Sequence, residues 1–278
     1  MPHVPPPLAP LTPATSLDDV VTAIDSVIDW SIENESRLGY FAALYKRITV
    51  AVRTAVVHGV FDDGPRMERL DVAFANRYFD ALNGRFHPDR FPRPTRSWRV
   101  TFDAADSEDP IILQHMFAGV SAHICLDLGI AAHAVAPPGR LPELMADFNR
   151  INAVLASQMD GLVADLNELS PALADVYAVF MDHQIVLINE AVRTFRDDAW
   201  RFATFLAAQP AFTRPVSIRI RDQRIARQGR LIFEPPGVLG LIDWALETIA
   251  AQESWDVAKN IRVLDEIVGI PAPIATTL

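Results

Sequence analysis

The sequence predicts an all-α protein: one bundle-like domain of about eight to ten helices behind a disordered N-terminal arm. Three observations lead there. Apolar residues recur at helical spacing in segment after segment. Glycine is scarce, 12 in 278 residues, which disfavours a turn-rich all-β fold. The 21 prolines gather at the N-terminus and at the joints between periodic segments. Half of the residues are hydrophobic, enough for a large core. No internal repeat is visible and no linker separates two cores. The expected divisions are therefore a Pro-rich disordered arm over residues 1–15, a single helical domain over 16–270 and a tail over 271–278.

Each element has its own signal. Residues 1–15 are rich in Pro, Ala and Thr and lack helical periodicity, so they read as extended or disordered. Ser16 is a good N-cap, and Asp18 and Asp19 suit the first turn of a helix to about Ile32. A second helix, 37–59, carries Leu38, Phe41, Leu44, Tyr45, Ile48 and Val52 at helical spacing. Asp62-Asp63-Gly64-Pro65 is a turn with proline placed to start a third helix, 65–82. That helix buries Met67, Leu70, Phe74, Tyr78 and Leu82. Residues 83–107 read as a long irregular connection, with an extended piece at 98–102 and Trp98 as a lid residue. Helices follow at 109–135, ended by Pro137-Pro138-Gly139, then at 141–168, 171–194 and 199–208. Residues 215–231 alternate in part like a strand, but no partner strand exists, so helix is favoured. Helices at 237–251 and 254–267 close the chain.

Composition excludes several functions. The net charge of -10 offers no positive field for a phosphate backbone, so no nucleic-acid partner is expected. Cys125 is the sole cysteine, which rules out an intrachain disulfide and a cysteine-based zinc site. The N-terminus has neither a basic nor an apolar leader region, and the longest apolar run is broken by His123 and Asp127. A cytoplasmic protein without a membrane span is the expectation. Glycine-rich dinucleotide and phosphate loops and the nucleophile elbow are all missing, which disfavours Rossmann oxidoreductases, P-loop NTPases and α/β-hydrolases.

The most informative stretch is His115-Met-Phe-Ala-Gly119-Val-Ser121-Ala-His123-Ile-Cys-Leu-Asp127-Leu128. It sets two imidazoles and a carboxylate inside an apolar helix, where each must be paired. His123 and Asp127, four apart, share a face, so the carboxylate can orient the imidazole and raise its basicity. His115 lies about 12 Å away along the axis, too far to share an ion. Gly119, between them, leaves room for a helix, a ligand or a water.

Three further segments accompany this stretch: Glu68-Arg-Leu-Asp71-Val-Ala-Phe74-Ala-Asn-Arg-Tyr78, Asp147-Phe-Asn-Arg-Ile-Asn152 and Phe195-Arg196-Asp-Asp-Ala-Trp200. Together they resemble an uncharacterised bacterial family common in actinobacteria, with a Gly-Asn-Ala-His-Ile-x-x-Asp-Leu signature, over about residues 20–268. The resemblance implies a helical fold and a candidate site but no reaction. Ser121 stands where the family-like residue is asparagine.

The site expected from the sequence has His123 as acid or base, Asp127 orienting it and Asp147 as a second carboxylate. His115, Gly119, Ser121, Asn152, His183 and Trp98 are placed around the pocket. Asp147 and Asn152 are about 140° apart on their helix, so one faces the pocket while the other caps a neighbour. No cofactor is expected, although Asp147, Asp182, His183 and Glu190 leave room for a divalent metal. The leading expectation is an enzyme using acid/base chemistry (cyclisation, elimination or isomerisation) on a small, largely apolar biosynthetic intermediate. A metal-dependent hydrolase and a non-catalytic hydrophobic-ligand binder are the alternatives. The arginines at 214, 219, 221, 224, 227 and 230 form either a solvated face or a dock for an acidic partner or phosphate-bearing carrier.

Overall fold

The computed structural model describes residues 6–180, 184–235 and 240–266. His183 and Asp182 lie outside the described residues, as do residues 1–5 of the arm and the tail 271–278. The described residues form helices and no strand. In chain order these are α1 (Leu17–Glu33), α2 (Leu38–Val57), α3 (Gly64–Phe86), α4 (Arg96–Ala104) and α5 (Ile112–Ala122). A π turn, His123–Leu128, joins α5 without a break to α6 (Gly129–Val135). Then come α7 (Met145–Ala156), α8 (Met159–Leu169), α9 (Ala172–Phe180), α10 (Gln184–Ala207), α11 (Arg214–Phe233), α12 (Leu241–Ala250) and α13 (Val257–Asp265).

The rod Ile112–Val135 is long and apolar enough to cross a membrane by composition. Here it is the bundle's central post. Its first half packs on α2, α4 and α11, its π turn on α3, α10 and α11, and its last third on α3 and α10. One continuous apolar core runs from Leu8 to Leu264.

Three expectations need correction. Residues 6–15 have no regular secondary structure, but they are a docked strap, not a loose arm. Leu8, Leu11 and Ala14 are buried. Asn83 on α3 donates to the Leu11 carbonyl and accepts from its N–H, both at 2.8 Å, and Asn76 treats Ala14 the same way at 2.9 and 2.8 Å. Trp98–Phe102 is helical, not extended, and Trp98 is fully buried. The N-cap bonds of α4 come from Asp222 on α11, which accepts from the N–H groups of Arg96 and Ser97 at 2.9 Å each. No local residue caps it, so the sequence around it carries no start signal. Finally, the helix expected over 141–168 is broken at Ser157-Gln158 into α7 and α8.

Candidate functional site

An apolar cavity of about 120 Å³ lies between α2, α3, the central rod, α7, α8 and α10. A single water needs about 10–15 Å³ by this kind of measure, so the space suits a small organic group. Leu44, Ile48, Leu70, Met116, Ile124 and Ile151 are typical of its walls. Four polar side chains interrupt them: Tyr45 from α2, Asp71 from α3, His123 from the π turn and Arg196 from α10.

His123 stacks on Phe74, with ring centroids 3.5 Å apart and 7° between the planes. Tyr45 meets the imidazole edge-on at 4.7 Å. The His123 Nδ1 approaches Asp127 Oδ2 at 3.5 Å, but neither ring nitrogen has a well-formed hydrogen bond. Burial dominates its titration: it lowers the imidazole pKa, with Asp127 opposing and Arg77 adding to the fall. The ring is therefore a neutral base at neutral pH.

Asp127 is held more firmly than His123. It accepts from Arg77 Nε at 2.6 Å and from Trp98 Nε1 at 2.7 Å. Burial pushes its carboxyl upward, but Arg77, His123 and Trp98 together outweigh burial and hold it below the usual range. Trp98, expected as a lid, is instead the clamp that fixes the carboxylate behind His123. The π turn matters here, because such turns shift the register of a helix by one residue and recur at functional sites.

Asp71 is the opposite case. Its Oδ2 is buried without a partner, and burial raises the carboxyl to about 7 against the pull of Arg196. It is an acid near neutrality, facing the same cavity as the neutral His123. Arg196 is anchored by Asn152 Oδ1 at 2.8 Å and the Phe148 carbonyl at 2.5 Å, and lies 4.4 Å over the Phe148 ring. Burial lowers even this guanidinium, to about 10. The Tyr45 hydroxyl is also buried and unpaired.

The remaining expected residues scatter. Asp147 does not reach the cavity. It accepts from the N–H groups of Asp62 and Asp63 at 2.8 and 3.0 Å and from Arg150 at 2.6 Å, fixing the start of α3. Asn152, on the other side of the same helix, faces the cavity through Arg196. His115 sits in a separate small hollow beside Arg37, Trp98 and Phe102, where burial, then Arg37, lower it to about 4. Gly119 leaves room for a helix: a Cβ there would lie 2.4 Å from the Phe41 ring. Ser121 and Cys125 face a different hollow, and burial pushes the Cys125 thiol up to about 11, which keeps it unreactive. Among the described residues no three His, Cys, Asp or Glu side chains converge on one point.

Asp71 and Arg196 were missed as site residues. Their signal was present, because each breaks an apolar stripe: Asp71 falls between Met67, Leu70 and Phe74, and Arg196 between Val192 and Ala199.

Comparison with the curated proteins and with the solved structures gives no match. Residues 17–235, by contrast, match a family from end to end of the cavity-bearing helices, stopping short of the 268 expected. The chain belongs to the family of unknown function DUF5995.

Proposed function

We propose that the protein is an enzyme that moves protons on a small, largely apolar molecule, in a cyclisation, elimination or isomerisation. The observation that carries this reading is the meeting of Asp71 and His123 on one apolar cavity. Burial leaves the first an acid near neutrality and the second an unprotonated base. Pairs of titratable groups pushed apart in this way mark acid and base assignments. His123 takes a proton, Asp127 orients the ring and stabilises the imidazolium that forms, and Asp71 supplies a proton to the other end of the reacting bond system. Tyr45, with its free hydroxyl, orients the substrate's polar atom. Arg196 moderates the acidity of Asp71, its positive charge opposing the upward push of burial. The apolar walls keep water away from any carbanion or carbocation.

A second reading is a hydrophobic-ligand binder without turnover. The scarcity of polar groups around the cavity favours it. One experiment separates the two. Wild type, Asp71→Asn and His123→Gln are incubated with an apolar extract of the source cells, and the mixture is followed by mass spectrometry. The enzyme reading expects a compound that isomerises or loses a small molecule with wild type and is unchanged by both variants, which stay folded by circular dichroism. Retention of one compound, unaltered, by all three proteins supports the binder instead.

A further inference from the structure

The helix that carries His123 separates two hollows. On one side is the apolar cavity of about 120 Å³. On the other is a wider hollow of about 810 Å³, bounded by α5, α9, α10, α11 and α12, in the size range of small-molecule pockets. Leu113 and Phe117 line both hollows. They lie four apart on α5, so they form one stripe. Both are only half-buried, although Ile112, Gln114, Met116 and Ala118 beside them are buried. Their remaining surface is a thin wall between the two spaces. His123 faces inward, while Ser121 and Cys125 face the outer hollow.

The two spaces differ in charge. The outer hollow has an apolar floor and a polar rim of Asp198, Arg201, Arg224 and Gln228. Asp198 is already engaged by Arg221 at 2.8 Å and stands 4.0 Å from Arg224. Among the described residues Arg201 has no ion-pair partner. In a chain of net charge -10 this rim is a local positive edge. The inner cavity is walled mainly by aliphatic and aromatic side chains, and its one guanidinium, Arg196, is already held by Asn152 and the Phe148 carbonyl, so it suits an uncharged end.

We propose that the two hollows form one site for an elongated amphipathic carboxylate, whose apolar end crosses the Leu113–Phe117 wall to lie beside His123 while its carboxylate stays on Arg201 and Arg224. This deepens the acid/base reading by naming the substrate class, and it rests on that reading only for what happens at the buried end. Phe117 is then the gate: a rotation of one ring joins the spaces. Ser121 lies beside the shaft of the bound molecule, where the family-like asparagine would offer a larger amide.

The test is calorimetric titration of the full chain with decanoate, decanol and decylammonium. Decanoate is expected to bind about tenfold more tightly than decanol, roughly 1.4 kcal/mol, because its charge is hydrogen-bonded by the arginines, and decylammonium more weakly than either. R201Q/R224Q, two exposed positions, brings decanoate down to the affinity of decanol and leaves decanol unchanged. F117W obstructs the wall and weakens both ligands, whereas F117L retains both. With isotope-labelled decanoate, the terminal methyl shows magnetisation transfer to the rings of His123 and Phe74. Equal affinity for decanoate and decanol overturns the proposal. So do an unaffected R201Q/R224Q, methyl contacts confined to Ser121 and Cys125, or no binding of any of the three. H123Q separates this from the catalytic reading: if the binding pattern holds and H123Q still turns substrate over, the acid/base reading fails alone.

Discussion

Burial gives Asp71 a stability penalty that depends on pH. Its carboxyl rises from 3.8 to about 7 on folding, so the folded state binds the proton more tightly than the unfolded chain. Between those values stability falls as pH rises, and the full cost is present above pH 7. At about 1.4 kcal/mol for each pH unit, this is on the order of 4 kcal/mol. His115 works the other way: its fall from 6.5 to about 4 makes stability rise with pH across that window. The two oppose each other in wild type. Asp71→Asn removes one of them, so its urea-unfolding free energy is expected to climb more steeply from pH 4 to 6.5 than that of wild type. A parallel pair of curves counts against a buried acid at this position. Asp127→Ala is expected to cost about 3–5 kcal/mol in the same assay, since it strands Arg77 and the Trp98 N–H. The His123–Asp127 pair was readable in the sequence because one helix carries both at i and i+4. Asp71 and Arg196 come from α3 and α10, and only tertiary packing brings them to one cavity. A polar residue on an apolar stripe was the available sign.

Several helices in this bundle start on carboxylates supplied from far along the chain. Asp147 accepts from the N–H groups just ahead of α3, Asp222 caps α4, and Glu253 accepts from Ile112 N–H at 2.8 Å at the start of α5. Such bonds satisfy the free donors of a helix as a local cap does, but no local pattern announces them. Helices with their own caps, such as α1 with Ser16 and α3 with Asp63, were legible at their first turns. The α4 segment was not, because its cap lies 125 residues away. Asp222→Ala is expected to cost about 2 kcal/mol and to speed amide exchange at Ser97 selectively; uniform exchange would show that α4 is held by packing alone. Gly119 belongs to the same scale, since it sets how closely α2 approaches α5. Gly119→Ala is expected to cost about 1–3 kcal/mol through the Phe41 ring, and Phe41→Leu in the same chain should recover part of it in thermal melts.

Across the whole molecule, the N-terminal strap and the C-terminal helices close the bundle from two sides. The strap is gripped by two asparagines on α3, seven residues apart, each bonding both polar groups of one strap residue. Asn76→Ala with Asn83→Ala is expected to free it, with rapid proteolytic trimming ahead of residue 16 and a loss of about 2–4 kcal/mol. Unchanged trimming would mean that Leu8 and Leu11 hold the strap without those bonds. At the other end, α13 packs on α1 and α2, and Lys46 bridges Asp25 and Asp265 at 2.7 and 2.8 Å. The all-α class was readable from periodicity alone, while this closure depends on pairs more than two hundred residues apart, such as Lys46 and Asp265 at a separation of 219.

Glu253 has a consequence for how the protein is made. During synthesis the chain emerges from its N-terminus, and Ile112 leaves the ribosome 141 residues before the carboxylate that caps it. The first turn of the helix bearing His123 therefore gains its remote cap only after a long further stretch of chain has been made. Glu253 also lies beyond residue 235, where the family match ends. Until those 141 residues have been added, the helix bearing His123 stands without the carboxylate that closes its first turn.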